Sequence, residues 1–464
     1  MKKLLSVFIM GSEVRQFVHS GLFSLLMESG WQITVMSKII DEDLRSQLPA
    51  EIQLEPLLKQ NIPFFTGMIS RILDKAFNLQ RSRRGESSWQ YGRDKSKNWR
   101  EALLFRVENA ASVILSSSAK WMAWGSRLEH TLHQKADRGR WKDFFKQHQV
   151  NAILINVPRQ NYWNPMLITA REMGIKTFLI YHTSKDLTAA GRLNHAFTGI
   201  GVWNSNMKRE LLRLNPWISP QTIQVVGCGH FDCVGRLEWL PPEADFRSQI
   251  GALPDSALVI YPTAGPGIVP AEERYIEFVV RAARQAEFLL NRRIQIIFRM
   301  NPMDNRETLF AQLKKSYPQY IVMRPDWQYN AKSNWCYARK PDPVFYNALL
   351  HFASVCVTIP STVTTDCALA GVPVINLGIE AAGEQPLAGS IRAFWEVDFN
   401  RNVRETQAAR FVTTQNELER ALVEYLRDKT LDADKREALI LREVDGIRAG
   451  QSSRRSLQLI SSGI

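Results

Sequence analysis

Short apolar segments alternate with amphipathic segments along most of the chain, and this alternation limits the possible folds more than any other feature. The first example is the apolar run LLSVFIM at 4–10, a helical stripe over 14–26 and a second apolar run, WQITVMS, at 31–37. An apolar run of strand length without polar alternation is typical of a strand buried on both faces. Two such strands joined by a helix form a right-handed βαβ unit, so the sequence predicts an α/β fold with parallel sheets.

The alternation occurs in two blocks, which predicts two Rossmann-like domains facing a central cleft. We place the N-terminal domain at 1–235, the C-terminal domain at 236–430, and a C-terminal helix and tail at 431–464. The proline-rich segment LEWLPPEADF at 237–246 is the expected linker region. In open parallel sheets, ligands bind beyond the carboxyl ends of the strands. With two such domains, the ligand is expected in the cleft between them.

A basic helical insertion at about 60–148 interrupts the alternation. Between 71 and 146 there are 17 Lys or Arg and 8 Asp or Glu, an excess of +9 out of a net charge of +13 for the chain, together with five tryptophans. One interpretation is a solvated insertion with its tryptophans turned inward. Another is contact with an anionic membrane surface. A nucleic-acid partner is not expected, because no nucleic-acid-binding motif accompanies the charge.

The remaining composition points to a cytoplasmic protein, with peripheral contact to the inner face of the cytoplasmic membrane as a further expectation. The N-terminus MKKLLSVFIM imitates a secretion signal but lacks an A-x-A-like cleavage site. No apolar run reaches 18 residues, so no membrane-spanning helix is predicted. The five cysteines form no CxxC pair, and no metal site is expected.

The turn in TIPSTVTTDCALAGVPVIN, residues 358–376, carries an unusual density of hydrogen-bonding side chains. It ends one apolar run and opens a helix, where backbone N–H groups lack partners and an anion binds well. Ser361, Thr362 and Thr365 add hydroxyl donors, and Asp366 could hold a ribose hydroxyl. The alternative is that these residues only cap the helix.

Two further segments add candidate donor-binding residues. IIFRMNPMDN at 296–305 ends a strand with Arg299, whose guanidinium suits a phosphate, and with Asn301. VVGCGHFDCV at 225–234 ends another strand with Gly227, which allows close backbone approach, and with His230. For His230, a purely structural role is the alternative.

Taken in order, the patterns VGxxxFD, RxxP and PSTxxxDxAxxGxPVI resemble those of GT-B glycosyltransferases, especially bacterial capsule, lipopolysaccharide and teichoic acid transferases and the non-hydrolysing UDP-GlcNAc 2-epimerases. The resemblance covers about 200–380. It implies a nucleotide-sugar donor on the second domain, a glycan or lipid-linked acceptor on the first, and no cofactor or obligatory metal. Asn301 departs from the histidine that many relatives carry, and Asp366 stands where relatives often have Glu.

Sugar transfer needs a base for the acceptor proton or a group that steadies the leaving phosphate. His182, in LIYHTSKDLT at 179–188, is the first candidate base and Asp186 the second. Glu13 is a third, with a role at the start of a helix as its alternative. VPRQNYWNP at 157–165 offers three expected acceptor-binding residues: Arg159, Asn161 and Tyr162.

We therefore expect a metal-independent glycosyltransferase. A sugar-nucleotide 2-epimerase and a non-catalytic GT-B-like nucleotide-binding protein remain the alternatives. The epimerase would use the same nucleotide site without an acceptor, and it would need several carboxylates around the sugar.

Overall fold

A computed structural model describes residues 2–463 except 60, 84–97, 137, 158–162, 189–191, 266–267, 270–271, 305, 331–334, 381–390 and 398–399. These residues form two compact units. The first comprises Met1–Ile9, Gly21–Cys228 and Ser453–Ile464, and the second comprises Met10–Ser20 and Gly229–Ser452. Each unit therefore includes a segment that is distant from its main part in the sequence: 453–464 in the first unit and 10–20 in the second.

The first unit is built on a seven-stranded sheet with the order β3-β2-β1-β4-β5-β6-β7, and every neighbouring pair is parallel. The strands are β1 Lys2–Phe8, β2 Trp31–Ser37, β3 Gln53–Pro56, β4 Ala152–Ile155, β5 Lys176–Ile180, β6 Gly199–Val202 and β7 Ile223–Val225. The helices are α1 Leu22–Glu28, α2 Glu42–Gln47, α3 Phe64–Arg83, α4 Trp99–Leu115, α5 Ala119–Gln134, α6 Gly139–His148, α7 Trp163–Glu172, α8 Lys185–Thr188 and α9 Ser205–Leu214.

The second unit contains a six-stranded parallel sheet with the order β10-β9-β8-β13-β14-β15 and a small antiparallel hairpin, β11-β12. The strands are β8 Ala257–Pro262, β9 Ile294–Arg299, β10 Ile321–Met323, β11 Trp327–Asn330, β12 Trp335–Ala338, β13 Val355–Thr358, β14 Val374–Leu377 and β15 Ala409–Val412. The helices are α10 Glu243–Ile250, α11 Glu273–Leu290, α12 Glu307–Ser316, α13 Pro341–Phe352, α14 Val363–Leu369, α15 Ile391–Trp395, α16 Arg401–Thr406, α17 Gln415–Arg427 and α18 Ala433–Val444; a π-helical segment, Val14–His19, also belongs to this unit.

The predicted α/β class with parallel sheets is confirmed.

Local chemistry sets several element boundaries. The Asn204 side chain accepts a hydrogen bond from the Met207 N–H and begins α9, and Thr414 and Glu417 form a capping box that begins α17. Helix α19, Gln451–Ser462, ends the described chain and returns to the first unit. No helix among the described residues is both long and apolar enough to cross a bilayer.

The predicted single helix over 14–26 is wrong in its continuity. Gly21 adopts a left-handed backbone conformation with φ of +91°, which separates the π-helical segment from α1. The segment before Gly21 belongs to the second unit and the helix after it to the first. One amphipathic stripe in the sequence thus serves two different cores.

Candidate functional site

The second sheet has the strand order of a doubly wound fold, so its topology places a crevice between β8 and β13. The direction in which successive strands are added to the sheet reverses there, because β9 and β10 lie on one side of β8 while β13 to β15 lie on the other. Ligands bind at such switch points, beyond the carboxyl ends of the strands. A pocket of about 280 Å³ lies there, lined by residues that directly follow β8, β9 and β13.

The turn after β13 contributes Ser361 and Thr362 to this pocket. Thr362 is the N-cap residue of α14, but its side chain makes no capping hydrogen bond. Helix α14 has only seven residues, so the hydroxyl groups rather than a long helix dipole are the main anion-binding feature. Thr365 is buried on the inner side of α14 and is not among the residues that line the pocket.

His230 and Asp366 meet in the pocket, although 136 positions separate them in the sequence. Nε2 of His230 lies 2.9 Å from Oδ1 of Asp366, and the Tyr346 hydroxyl donates to Oδ2 at 3.0 Å. Burial acts to raise the pKa of Asp366, but the contact with His230, the Arg15 charge and the Tyr346 hydrogen bond outweigh it, so the pKa is lowered. Asp366 is therefore an ionised acceptor.

Burial and the nearby Arg15 charge lower the pKa of His230. A neutral His230 that donates from Nε2 to the Asp366 carboxylate keeps a lone pair on Nδ1. Nδ1 is buried and has no hydrogen-bond partner among the residues that the structure describes. The pair therefore fixes the orientation of the imidazole and leaves Nδ1 as a buried acceptor without a hydrogen bond from the described residues.

A second buried pair joins Arg299 to Asp342. Nη2 of Arg299 lies 2.8 Å and 3.0 Å from the two carboxylate oxygens, and the guanidinium lies 5.0 Å from the Tyr346 ring. Asp342 also accepts from the Asp326 N–H and from the Trp327 indole N–H. Arg299 lines the pocket, but Asp342 compensates its charge, which sequence reasoning did not anticipate.

Arg15 is the functional candidate that sequence reasoning missed. It comes from the π-helical segment, lines the pocket and lies 5.4 Å from the centre of the Trp327 ring. Its charge lowers the pKa of both His230 and Asp366. The signal available was its position two residues after the GSE stretch that follows the first strand. Nothing in the sequence linked that stretch to residues more than 200 positions away.

The loops behind the pocket are braced by hydrogen bonds. The Asn301 backbone N–H donates to the Thr263 hydroxyl at 2.8 Å, and the Asn301 side chain accepts from the Met303 N–H at 2.9 Å. Glu272 is fully buried and accepts from the Gly265 N–H at 3.3 Å and from Arg306 at 2.7 Å. Asn301 therefore closes its own turn while lining the pocket.

The other predicted residues lie elsewhere. Gly227 belongs to the first unit, has a φ of +81° and is not among the residues lining this pocket. Glu13 is fully buried, and both of its carboxylate oxygens lie within 3.4 Å of the Met10 backbone nitrogen. The three expected acceptor-binding residues, Arg159, Asn161 and Tyr162, lie outside the described residues.

In the first unit, the structure brings the two candidate bases together at the carboxyl end of β5. Nδ1 of His182 lies 2.9 Å from Oδ2 of Asp186, close enough for an ion pair although not aligned as a hydrogen bond. The same nitrogen is 3.4 Å from the carbonyl oxygen of Asn156, which follows β4. Both candidates thus lie at the ligand-binding edge of a parallel sheet.

The fold and the pocket define a doubly wound α/β protein with a polar site at the switch point of its second sheet. An MnaA–UDP structure from S. aureus is similar, with a TM-score of 0.53, 11% identity, and coverage of 100% of this chain and 96% of that chain. UDP-GlcNAc 2-epimerase from Methanocaldococcus jannaschii is similar with a TM-score of 0.53 and 13% identity, and the match covers 99% of each chain. The wall teichoic acid polymerase TagF with CDPG has a TM-score of 0.50 and 11% identity, and the match covers 99% of this chain and 88% of that chain.

These similarities show that the chain has the GT-B fold, as its sequence patterns predicted. No family model matches the sequence, and no curated protein matches it significantly. The identities are low, so the similarity concerns the fold.

Proposed function

We propose that this protein is a glycosyltransferase that moves a sugar from a nucleotide-sugar donor to a surface-polysaccharide or lipid-linked acceptor. The observation that carries the proposal is the convergence of Ser361, Thr362 and Arg15 on one pocket at the switch point of the second sheet. Hydroxyl and guanidinium donors are the groups that bind a diphosphate. Solved structures with this fold were obtained with UDP, UDP-GlcNAc or CDPG, which supports a nucleotide-linked donor.

The pocket is small for a ligand site, at about 280 Å³. We infer that it holds the diphosphate and adjoining groups rather than a complete nucleotide sugar. The buried Asp366 carboxylate is suited to accept a hydrogen bond from a ribose hydroxyl, because each of its oxygens can accept more than one hydrogen bond. His230 would then bind a neighbouring hydroxyl through Nδ1.

For the acceptor, His182 is the base that we propose. Asp186 lies 2.9 Å from Nδ1 and would stabilise the imidazolium that forms when His182 takes the acceptor proton. Arg159, Asn161 and Tyr162 follow β4 in the sequence and stay candidates for holding the acceptor. No metal is part of the proposal.

A sugar-nucleotide 2-epimerase is the alternative within the same fold. Epimerisation of this kind would need several free carboxylates close to the sugar. Among the described residues that line the pocket, the carboxylates are Asp342 and Asp366, and both already have charged or hydrogen-bonding partners. This arrangement favours transfer. A non-catalytic nucleotide-binding protein is the third possibility, for which the Asn301 departure is the main argument.

An assay with a panel of nucleotide sugars separates the three functions. Release of free nucleotide that depends on an added glycan or lipid-linked acceptor would establish transfer. Isomerisation of the sugar without an acceptor would establish epimerisation. Binding by calorimetry without turnover under either condition would overturn both enzymatic functions. Mass spectrometry of nucleotide that co-purifies with the protein identifies the donor to test first.

The surface of α4 supports the further proposal that the insertion contacts an anionic membrane. This helix is apolar outside and polar inside: Trp99, Leu103 and Val107 are more than half exposed, whereas Glu108 and Ser112 are buried. The protein tolerates the burial of Glu108 because its two carboxylate oxygens form ion pairs with Arg71 and Lys75 of α3, at 2.7 Å and 2.8 Å. An apolar stripe that faces outward is costly in water and suits the boundary of a bilayer.

Exposed basic and aromatic residues accompany this stripe. Trp121 and Trp124 of α5 are half exposed, which contradicts the interpretation that the tryptophans of the insertion all turn inward; only Trp141 is buried among those the structure describes. The basic residues Arg100, Arg106 and Lys120 are exposed on α4 and α5. Such cations add attraction to anionic lipid.

A further inference from the structure

A second cavity, of about 740 Å³, lies wholly within the first unit. Its walls come from α3 and α5 of the insertion, from α7, and from the segments 192–196 and 213–217. Those two segments lead into β6 and β7, so the cavity lies toward the amino edge of the parallel sheet. His182 follows β5 at the carboxyl edge. The cavity is therefore distinct from the proposed reaction centre.

The lining of this cavity contains four arginines and one glutamate. Two of the arginines, Arg81 and Arg213, lie 3.5 Å and 3.7 Å from the Glu210 carboxylate, which is outside the lining. The glutamate, Glu129, is already compensated, because Arg192 donates to both of its oxygens at 2.6 Å and 3.0 Å. Arg171, by contrast, is exposed at the cavity wall and forms no ion pair with the residues that the structure describes. An anion is the ligand charge that fits this wall.

Two buried histidines of the cavity wall each have one ring nitrogen without a hydrogen-bond partner among the described residues. His133 is 1% exposed, and its Nε2 lies 2.9 Å from the Asn164 amide nitrogen, but its Nδ1 has no partner within the described part of the chain. His195 is 7% exposed, and its Nε2 likewise lacks a partner there. Buried polar atoms are rarely left unpaired without a ligand or water to complete them.

Charge converges on His195. Burial, then the Arg171 charge and His130, lower the pKa of His195 to about 4, which places the guanidinium near the imidazole. The remaining walls include apolar side chains, among them Phe77, Met122 and Ile168. The cavity wall thus offers both cationic and apolar side chains, and the volume is within the range of small-molecule sites.

We propose that this cavity is a second binding site for a phosphate-bearing ligand with an apolar portion. The phosphate binds to Arg171 beside His195, and the apolar portion packs against the side chains of α3, α5 and α7. The proposal gives the basic insertion a specific role, because two of its helices build the cavity wall. It does not depend on the proposed sugar transfer.

Isothermal titration calorimetry on the full chain tests the proposal with three probes: inorganic phosphate, a short-chain prenyl phosphate and the matching prenyl alcohol. We expect the prenyl phosphate to bind at least about tenfold more tightly than either inorganic phosphate or the alcohol. Arg171→Gln should weaken prenyl phosphate binding about tenfold through loss of a charged hydrogen bond. Arg127→Gln, on the exposed part of α5, is the matched control and should leave binding unchanged.

A second variant tests the apolar end. Ala123→Trp, at an exposed position of α5 that lines the cavity, should block the prenyl phosphate while thermal unfolding stays as in the wild type. Equal affinity for all three probes, or equal affinity of the wild type and Arg171→Gln, would overturn the proposal. So would displacement of the prenyl phosphate by UDP, since the two ligands would then share one site. A protein that binds prenyl phosphate but turns over no nucleotide sugar would support this site and contradict only the transferase.

Discussion

Nε2 of His230 lies 2.9 Å from Oδ1 of Asp366, and this contact joins the loop after β7 to the helix after β13 within one unit. Both residues line the pocket, and Tyr346 holds the other carboxylate oxygen. The contact fixes the orientation of the imidazole, and the proposed donor site depends on this arrangement.

Asp366→Asn should weaken nucleotide-sugar turnover at least about a hundredfold, because an amide removes the charge that orients His230. Steady-state turnover with the donor identified by mass spectrometry measures the effect. Asp326→Asn, on an exposed ion pair with Arg339, is the control and should keep wild-type turnover. Full activity of Asp366→Asn would show that the His230 contact is structural only.

Ser361→Ala combined with Thr362→Ala should weaken nucleotide binding by roughly 1–3 kcal/mol, the range for hydrogen bonds to charged groups. The Thr362 side chain does not cap α14, so the folded state should tolerate the change. Calorimetry gives the affinity. The matched control is Thr414→Ala, which removes a real capping box on α17 and should lower stability without changing nucleotide affinity. Unchanged affinity in the double variant would remove this turn from the donor site.

Arg299→Lys should reduce turnover about tenfold or more, since a lysine keeps the charge beside Asp342 but loses the planar fork. Turnover and urea unfolding are measured together. The same substitution at Arg339, which forms an exposed ion pair with Asp326, is the control and should change turnover and the free energy of unfolding very little. If Arg299→Lys loses stability but keeps full turnover, Arg299 serves only to hold Asp342.

Glu443→Gln should stabilise the protein at pH 8 but not at pH 5. Burial raises the pKa of Glu443 to about 7, against an ordinary value of 4.5. Because the folded state binds this proton more tightly, the contribution of Glu443 to the free energy of unfolding is largest below pH 4.5. This contribution is lost as the pH rises through about 7. The buried charge then costs about 3 kcal/mol, which glutamine avoids. Urea unfolding at both pH values tests this; an equal effect at pH 5 and pH 8 would contradict it.

Vesicle co-sedimentation tests the α4 surface. Binding to anionic but not neutral vesicles is expected, and it should weaken at high salt. The combined change of Arg100, Arg106 and Lys120 to Ser, or of Leu103 and Val107 to Ser, should reduce it. Changing the exposed Arg281, Lys315 and Arg420 of the second unit to Ser is the charge-matched control. Arg81, although part of the basic segment, is buried and is therefore not a useful target.

Much of the architecture followed from local patterns. Strand β2 has the bounds that its apolar run predicted. The strands that prediction missed are β3 and β15, at the edges of the sheets, and the β11-β12 hairpin. An edge strand is paired on one side only. It therefore does not need the continuous apolar run by which buried strands are recognised.

The sequence by itself determined the parallel α/β class and most of its element boundaries, and it also pointed to the PST turn and the residues after β5 and β9 as candidate sites. These depend on neighbours along the chain, on periodicity, capping and turn chemistry. Only the tertiary structure decided that Arg15 joins the pocket, that Asp342 compensates Arg299 and that His230 meets Asp366. Contacts between residues 43 or 136 positions apart arise from packing of the sheet and its helices, and no local pattern encodes which distant partner satisfies a buried charge.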